Sequence, residues 1–160
     1  MKQPELHYKM RFKIIIQYDG SLFSGWQIQP DARTVEGELE GALKTVLQQP
    51  ADIVGQGRTD TGVHALHQVA HMDLPEDADP DKIRLSLNRM TGDDVYVKSI
   101  EQVSDDFHAR FDAKSRSYVY TFIREPRPLE INHAEVLAGY CEITAMKAAA
   151  EVFLGEHDFA

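Results

Sequence analysis

Residues 55–65 read Gly-Gln-Gly-Arg-Thr-Asp-Thr-Gly-Val-His-Ala, and they form the most chemically suggestive stretch of the chain. Gly55, Gly57 and Gly62 permit positive φ and a close approach of backbone to a ligand. Arg58 and Asp60 lie between them. On an extended loop, residues at this spacing project to the same side, where the guanidinium could hold the carboxylate ionised by direct pairing. A carboxylate charged at neutral pH is a candidate nucleophile or general base. The plain alternative is an Asx-turn aspartate with a surface salt bridge, which is the ordinary state of a loop aspartate. A phosphate cradle is not indicated, because no Gly-Lys-Ser/Thr closes the run and the dinucleotide fingerprint is absent.

A second constellation is Arg116-Ser117-Tyr118-Val119-Tyr120. Strand alternation would put Arg116, Tyr118 and Tyr120 on one face, suited to stacking a base and neutralising a phosphate. Tyrosine in a strand is equally ordinary core filler. His64, His67 and His71 have the spacing of helical metal ligands, but Val69, Ala70 and Met72 favour a strand, so no metal site is expected. Trp26, within Phe23-Ser24-Gly25-Trp26-Gln27, is either a surface anchor or a lid over the core. The single cysteine, Cys141, excludes an intrachain disulfide and is read as core packing.

The elements that must position these residues follow from periodicity. Arg11 to Tyr18 alternates, with Phe12, Ile14, Ile16 and Tyr18 on one face, and predicts a strand ending at the Asp19-Gly20 turn. Leu39, Ala42, Leu43, Val46 and Leu47 predict a helix capped by Thr34 and stopped by Pro50. A strand at Ile53-Val54, the Gly-rich loop and a strand over Gln68 to Leu74 follow. Asp79-Pro80 then opens a helix bearing Ile83, Leu87 and Met90. Further strands are expected over Val95 to Ile100 and Ser117 to Ile123. A third helix is expected over Thr144 to Leu154, with Met146, Ala149, Ala150 and Phe153 on one face.

This order predicts an α+β fold with the split βαβ pattern: an antiparallel, ferredoxin-like sheet with helices on one face. Residues 1–105 are read as an N-terminal domain carrying the loop, and residues 106–160 as the beginning of a second, similar domain. Glu125-Pro126-Arg127-Pro128-Leu129 is the linker candidate. The chain stops just past a helix, which is read as a truncation.

Composition excludes other classes. At 160 residues and 42% hydrophobic content the chain can bury one sizeable core. No apolar run approaches the roughly 18 residues of a membrane span, and the first residues lack the apolar stretch of a secretory signal, so a cytoplasmic chain is expected. The net charge of −9 argues mildly against a polyanionic partner. Its distribution argues otherwise: ten acidic residues face four basic ones between Asp73 and Asp106, whereas Arg110, Lys114, Arg116, Arg124 and Arg127 face only Asp112 and Glu125. The bland reading of such a cluster is a solvated surface.

Several ordered segments resemble the TruA family of tRNA pseudouridine synthases. They are Tyr18-Asp19-Gly20 with Phe23-Ser24-Gly25-Trp26-Gln27 and Gln29-Pro30; Arg33-Thr34-Val35-Glu36-Gly37 with Leu39-Glu40; Gly57-Arg58-Thr59-Asp60 with Gly62-Val63-His64-Ala65; Phe107-His108-Ala109-Arg110-Phe111; and Arg116 to Tyr120. Gly155 to Phe159 resembles a segment that continues in the family into a second half. Two departures are local: Thr61 stands where the family often has alanine, and Asn88 to Asp94 matches only partly a segment usually written with Leu-Pro.

The resemblance implies isomerisation of uridine to pseudouridine in the anticodon stem-loop of tRNA by a homodimer without cofactor or metal. It implies that Asp60 is the catalytic aspartate, that Arg58 pairs with it, and that Tyr118 packs against the target base. Arg116 and Arg110 are expected to contact the RNA. It also implies that residues of a second half complete the cleft, so this 160-residue chain is expected to turn over little or not at all. Two rivals predict different behaviour. A non-catalytic RNA-binding module would keep its function without Asp60, and a plain interaction domain would bind no tRNA in a salt-dependent way.

Overall fold

The computed structural model describes residues 9–137, 139 and 142–158. Cys141 and Phe159 lie outside the described residues. The chain divides into two compact units, residues 1–116 and 117–160.

In the first unit the element order is β1 (Lys9–Tyr18), α1 (Val35–Leu47), β2 (Ile53–Gly55), β3 (Ala65–Pro75), α2 (Pro80–Met90) and β4 (Val95–Gln102). The strands form one sheet in the order β2-β3-β1-β4, with every pairing antiparallel. This is the expected split βαβ fold. The alternation of β1 carries its consequence directly: Phe12, Ile14, Ile16 and Tyr18 are all buried, together with Ala70, Met72 and Leu74 of β3 and Val95, Val97 and Ile100 of β4. Val35, Leu39, Ala42 and Leu43 of α1 and Ile83 and Leu87 of α2 close the same core.

The helix ends are made by the residues that sequence chemistry requires. Thr34 accepts a hydrogen bond from the Gly37 amide, and Asp79 accepts from the amides of Asp81 and Lys82, with Pro80 at the first helical position. Helix α1 ends at Leu47, before Pro50, because Gln48 turns into the left-handed region (φ 54°). Asn88 extends α2's reach: its side chain donates to the Val97 carbonyl (2.9 Å) and accepts from the Val97 amide (2.7 Å), docking the helix on β4.

The opposite face of the sheet is also used. There Arg11 holds Asp73 through two hydrogen bonds (2.8 and 3.0 Å), Lys13 meets Glu101 (3.0 Å), and His71 is buried at 4% exposure. Residues 106–116, read from sequence as the opening of the second domain, belong by their contacts to this first unit.

The second unit is sparse. A two-residue parallel pair joins β5 (Phe122–Ile123) to β6 (Glu135–Val136), and α3 (Ile143–Ala150) follows, capped by the Glu142 carboxylate. The expected strand over Ser117 to Ile123 is confined to Phe122–Ile123. Tyr118, Val119 and Tyr120 are exposed by 71–88% and carry no ladder, since tyrosine and valine preferences express themselves only where a neighbouring strand exists to pair with. The expected helix to Leu154 ends at Ala150, and Glu151–Phe153 forms a 3-10 turn; no α3 residue is buried, so Phe153 shares no core face. The Pro-rich segment 125–129 connects β5 to β6 inside this unit instead of linking two domains.

Candidate active site

The Gly-rich loop leaves β2 at Gly55 and re-enters the sheet at Ala65. It is held by the β1–α1 connection, residues 19–34, lying against it. The Trp26 amide donates to the Thr59 carbonyl (3.0 Å), the Gly62 amide donates to the Phe23 carbonyl (3.3 Å), and the Tyr18 hydroxyl is 2.8 Å from the Thr59 hydroxyl. The Gly20 amide donates to Nδ1 of His64 (3.1 Å).

Glycines make this contact possible by what they lack, Gly25 among them, whose Cβ would stand 2.6 Å from the Thr59 carbonyl oxygen. A Cβ on Gly20 would stand 2.1 Å from the Val63 carbonyl oxygen, and one on Gly55 would stand 2.7 Å from the Trp26 indole. Of the two expected roles, the surface anchor is excluded: Trp26 is buried as part of the core. It is 2% exposed, stacked on the glycine that begins the loop and tilted against Tyr18 at 6.1 Å. Arg33 seals the outer side: its guanidinium lies 4.2 Å from the centre of the Phe23 ring and pairs with Asp94 (2.6 Å) and Glu38 (2.9 Å). The hydrogen bonds to Asp94 and Glu38 raise its pKa further above the ordinary arginine value.

The two clamped loops enclose an open cleft of about 370 Å³ lined by Ser24, Gln27, Gln29, Arg58, Thr59, Asp60 and Thr61. Arg58 and Asp60 are both exposed and both line it. The expected direct pairing is not formed: among the described residues, neither has an ion pair within 4.0 Å. Thr59 between them turns inward to Tyr18, while the Arg58 and Asp60 side chains are exposed at the cleft. Thr61, one of the two places where the family resemblance departs, also lines the cleft.

Arg116 comes to the same loop from the end of the first unit. Its guanidinium donates to the Gln56 carbonyl and its side chain lies 3.1 Å from where a Gly57 Cβ would stand. Arg110 is exposed on the segment that docks against His71. Tyr118 belongs to the second unit, where it is 71% exposed. Sequence reasoning missed Ser24, Gln27 and Gln29 as cleft residues. No local periodicity marks them; they reach the cleft because their connection is anchored on the Gly-rich loop by the buried Trp26.

A split βαβ unit that presents a carboxylate and an arginine on an open cleft defines a class of polar, solvent-open site, which the fold alone does not tie to one function. The comparisons with known proteins specify this class. Residues 14–112 match the family model described as tRNA pseudouridine synthase. The chain is 45% identical over 152 residues to "tRNA pseudouridine synthase A" of Maricaulis maris (strain MCS10), covering 93% of this chain and 61% of that protein. It is 43% identical over 152 residues to the protein of the same name from Streptococcus gordonii, with the same coverage. It is 40% identical over 151 residues to that of Brevibacillus brevis, covering 93% of this chain and 62% of that protein. The chain belongs to the tRNA pseudouridine synthase family, as the TruA resemblance implied. It spans about three fifths of the length of the curated relatives it matches. Among the described residues, no helix is long and apolar enough to cross a membrane.

Proposed function

We propose that this chain carries the catalytic carboxylate of a cytoplasmic tRNA pseudouridine synthase and that Asp60 is that carboxylate. The observation that carries the reading is the cleft itself: Asp60 and Arg58 face solvent on a loop whose backbone is fixed by Trp26, Phe23 and Tyr18. Such a loop presents the carboxylate from an anchored backbone and, among the described residues, without an ion-pair partner within 4.0 Å, which leaves it available to a substrate.

The isomerisation is balanced within one nucleoside. The bond from the sugar C1′ to N1 of the base breaks, the detached uracil turns, and C1′ bonds to C5; C5 loses a proton and N1 gains one. No redox partner or energy source enters. Asp60 serves this chemistry by attacking the sugar, by attacking the base, or by removing a sugar proton, and all three require it ionised and within contact of the nucleoside. Arg58 beside it supplies positive charge where negative charge develops or where the target's phosphate lies.

A uridine in a stem or loop must leave its stack to reach Asp60, at a cost of a few kcal/mol. Tyr118, an exposed aromatic, is assigned to pack against the extruded base and offset part of that cost. Arg116, at the rim of the Gly-rich loop, and Arg110, exposed on the docked segment, are assigned to the RNA backbone. The anticodon stem-loop of tRNA as target and a homodimer as the complete enzyme complete the proposal. The test is pseudouridine formation in unmodified tRNA by this chain and by the chain extended to its relatives' full length. The expected result is turnover in the extended form alone, lost with Asp60→Ala.

A further inference from the structure

The face of the sheet turned away from the helices holds a side-chain cluster that the proposed chemistry does not use. His71 is buried there at 4% exposure, and its Nδ1 accepts a hydrogen bond from the backbone amide of Ala109 (3.2 Å), itself 2% exposed. A ring nitrogen that accepts is unprotonated, so the ring is neutral with its proton on Nε2. The Phe107 ring meets His71 edge-on at 6.2 Å, and the Phe107 carbonyl accepts from Nη1 of Arg11 (2.9 Å). The His108 ring stands 4.7 Å from His71, and its own Nδ1 faces the amides of Arg110 and Phe111. The segment 107–111 has no strand or helix of its own, so these few contacts fix its register on the sheet. Arg110 follows the pinned Ala109 directly and points to solvent.

We propose that His71 is a positioning residue for RNA binding: its neutral ring pins residues 107–111 to the sheet and so places Arg110, and its protonation releases them, making RNA binding acid-sensitive. The inference rests on the reading of Arg110 as an RNA contact.

The charges around His71 act in the required direction. Burial is the largest cause lowering its pKa from 6.5, and Arg11 on β1 and His108 in the docked segment add to it; Asp73 on β3 opposes them. Lys13, opposite His71 on β1, is matched by Glu101 of β4, and Val54, opposite on β2, carries no charge. The released ring takes up its proton near its ordinary value of 6.5, and the docked ring only at lower pH. Docking is thus at full strength above 6.5 and weakens as pH falls below it.

The test follows amide hydrogen exchange, as protection factors, in this chain between about pH 8 and pH 5, alongside binding of an unmodified tRNA transcript at constant ionic strength. In the native chain, Ala109 protection is expected to fall by about tenfold or more across the range while β1 amides stay protected, and tRNA affinity is expected to fall with the same midpoint. In His71→Asn, whose side-chain oxygen can accept at every pH, both are expected to be flat. In His71→Phe, Ala109 protection is expected to be low throughout. Ala109 protection unchanged with pH, or a pH dependence that survives in His71→Asn, overturns the pin. A switch in protection that leaves tRNA affinity untouched overturns the positioning role. If tRNA fails to bind at any pH, the reading of Arg110 has failed, while Ala109 protection still decides the pin.

Discussion

Asp60 owes its usefulness to its neighbours in sequence as much as to its own carboxylate. Thr59 spends its hydroxyl on Tyr18, so the flanking Arg58 and Asp60 side chains both line the cleft. Tyr18→Phe removes one partner of a part-buried hydrogen bond and is expected to cost about 1 kcal/mol in denaturant unfolding. Arg58→Ala is expected to leave stability unchanged, since among the described residues it makes no ion pair within 4.0 Å, while lowering kcat/KM of the full-length enzyme about 100-fold. A loss of stability in Arg58→Ala would mean that it serves the fold. At this scale the sequence was informative about residue type and misleading about contact. The spacing of Arg58 and Asp60 suggested a direct ion pair, but whether two loop side chains meet depends on loop dihedrals set by Trp26, Phe23 and Tyr18, which are distant in sequence.

Between elements, the Gly-rich loop works only because the β1–α1 connection lies flat against it. Gly20, Gly25 and Gly55 mark the points of closest approach, to the Val63 carbonyl, the Thr59 carbonyl and the Trp26 indole. Gly20→Ala would drive a methyl into backbone that cannot move without displacing Val63, and is expected to lower both Tm and activity. Trp26→Ala leaves a large void beneath the loop and is expected to cost about 3–5 kcal/mol, read as a lower denaturant midpoint at unchanged m-value. The helices and central strands were legible in advance because each has a buried face whose period is written in consecutive residues: Phe12, Ile14, Ile16 and Tyr18 for β1, Leu39, Ala42 and Leu43 for α1. The caps Thr34 and Asp79 were legible for the same local reason. The docking of residues 107–111 was not, because a segment without periodicity declares its position only through partners such as His71 and Arg11, far away in the chain. The strand expected through Tyr118 forms only at Phe122–Ile123, because alternation of aromatic and aliphatic residues does not by itself supply a pairing neighbour.

On the scale of the whole molecule, a net charge of −9 conceals how the charges are matched. Arg11, Lys13, Arg33, Lys82, Arg84 and Arg127 each meet a carboxylate, so the positive charge of these six is matched within the protein itself. Arg58, placed beside Asp60, and Arg110 and Arg116, assigned to the RNA backbone, have no carboxylate within 4.0 Å among the described residues. Binding of tRNA is therefore expected to weaken with salt despite the negative total, and each of Arg110→Ala and Arg116→Ala is expected to reduce the slope of log K against log salt by about one. An affinity indifferent to salt would favour a plain interaction domain. The central claim is tested most directly by pseudouridine formation in unmodified tRNA with the chain extended to its relatives' full length, comparing the native residue with Asp60→Ala and Asp60→Asn. Asp60 as the catalytic carboxylate predicts a fall of several orders of magnitude in both variants, with tRNA affinity and melting temperature retained. Turnover that persists in either variant at near the native rate would contradict it.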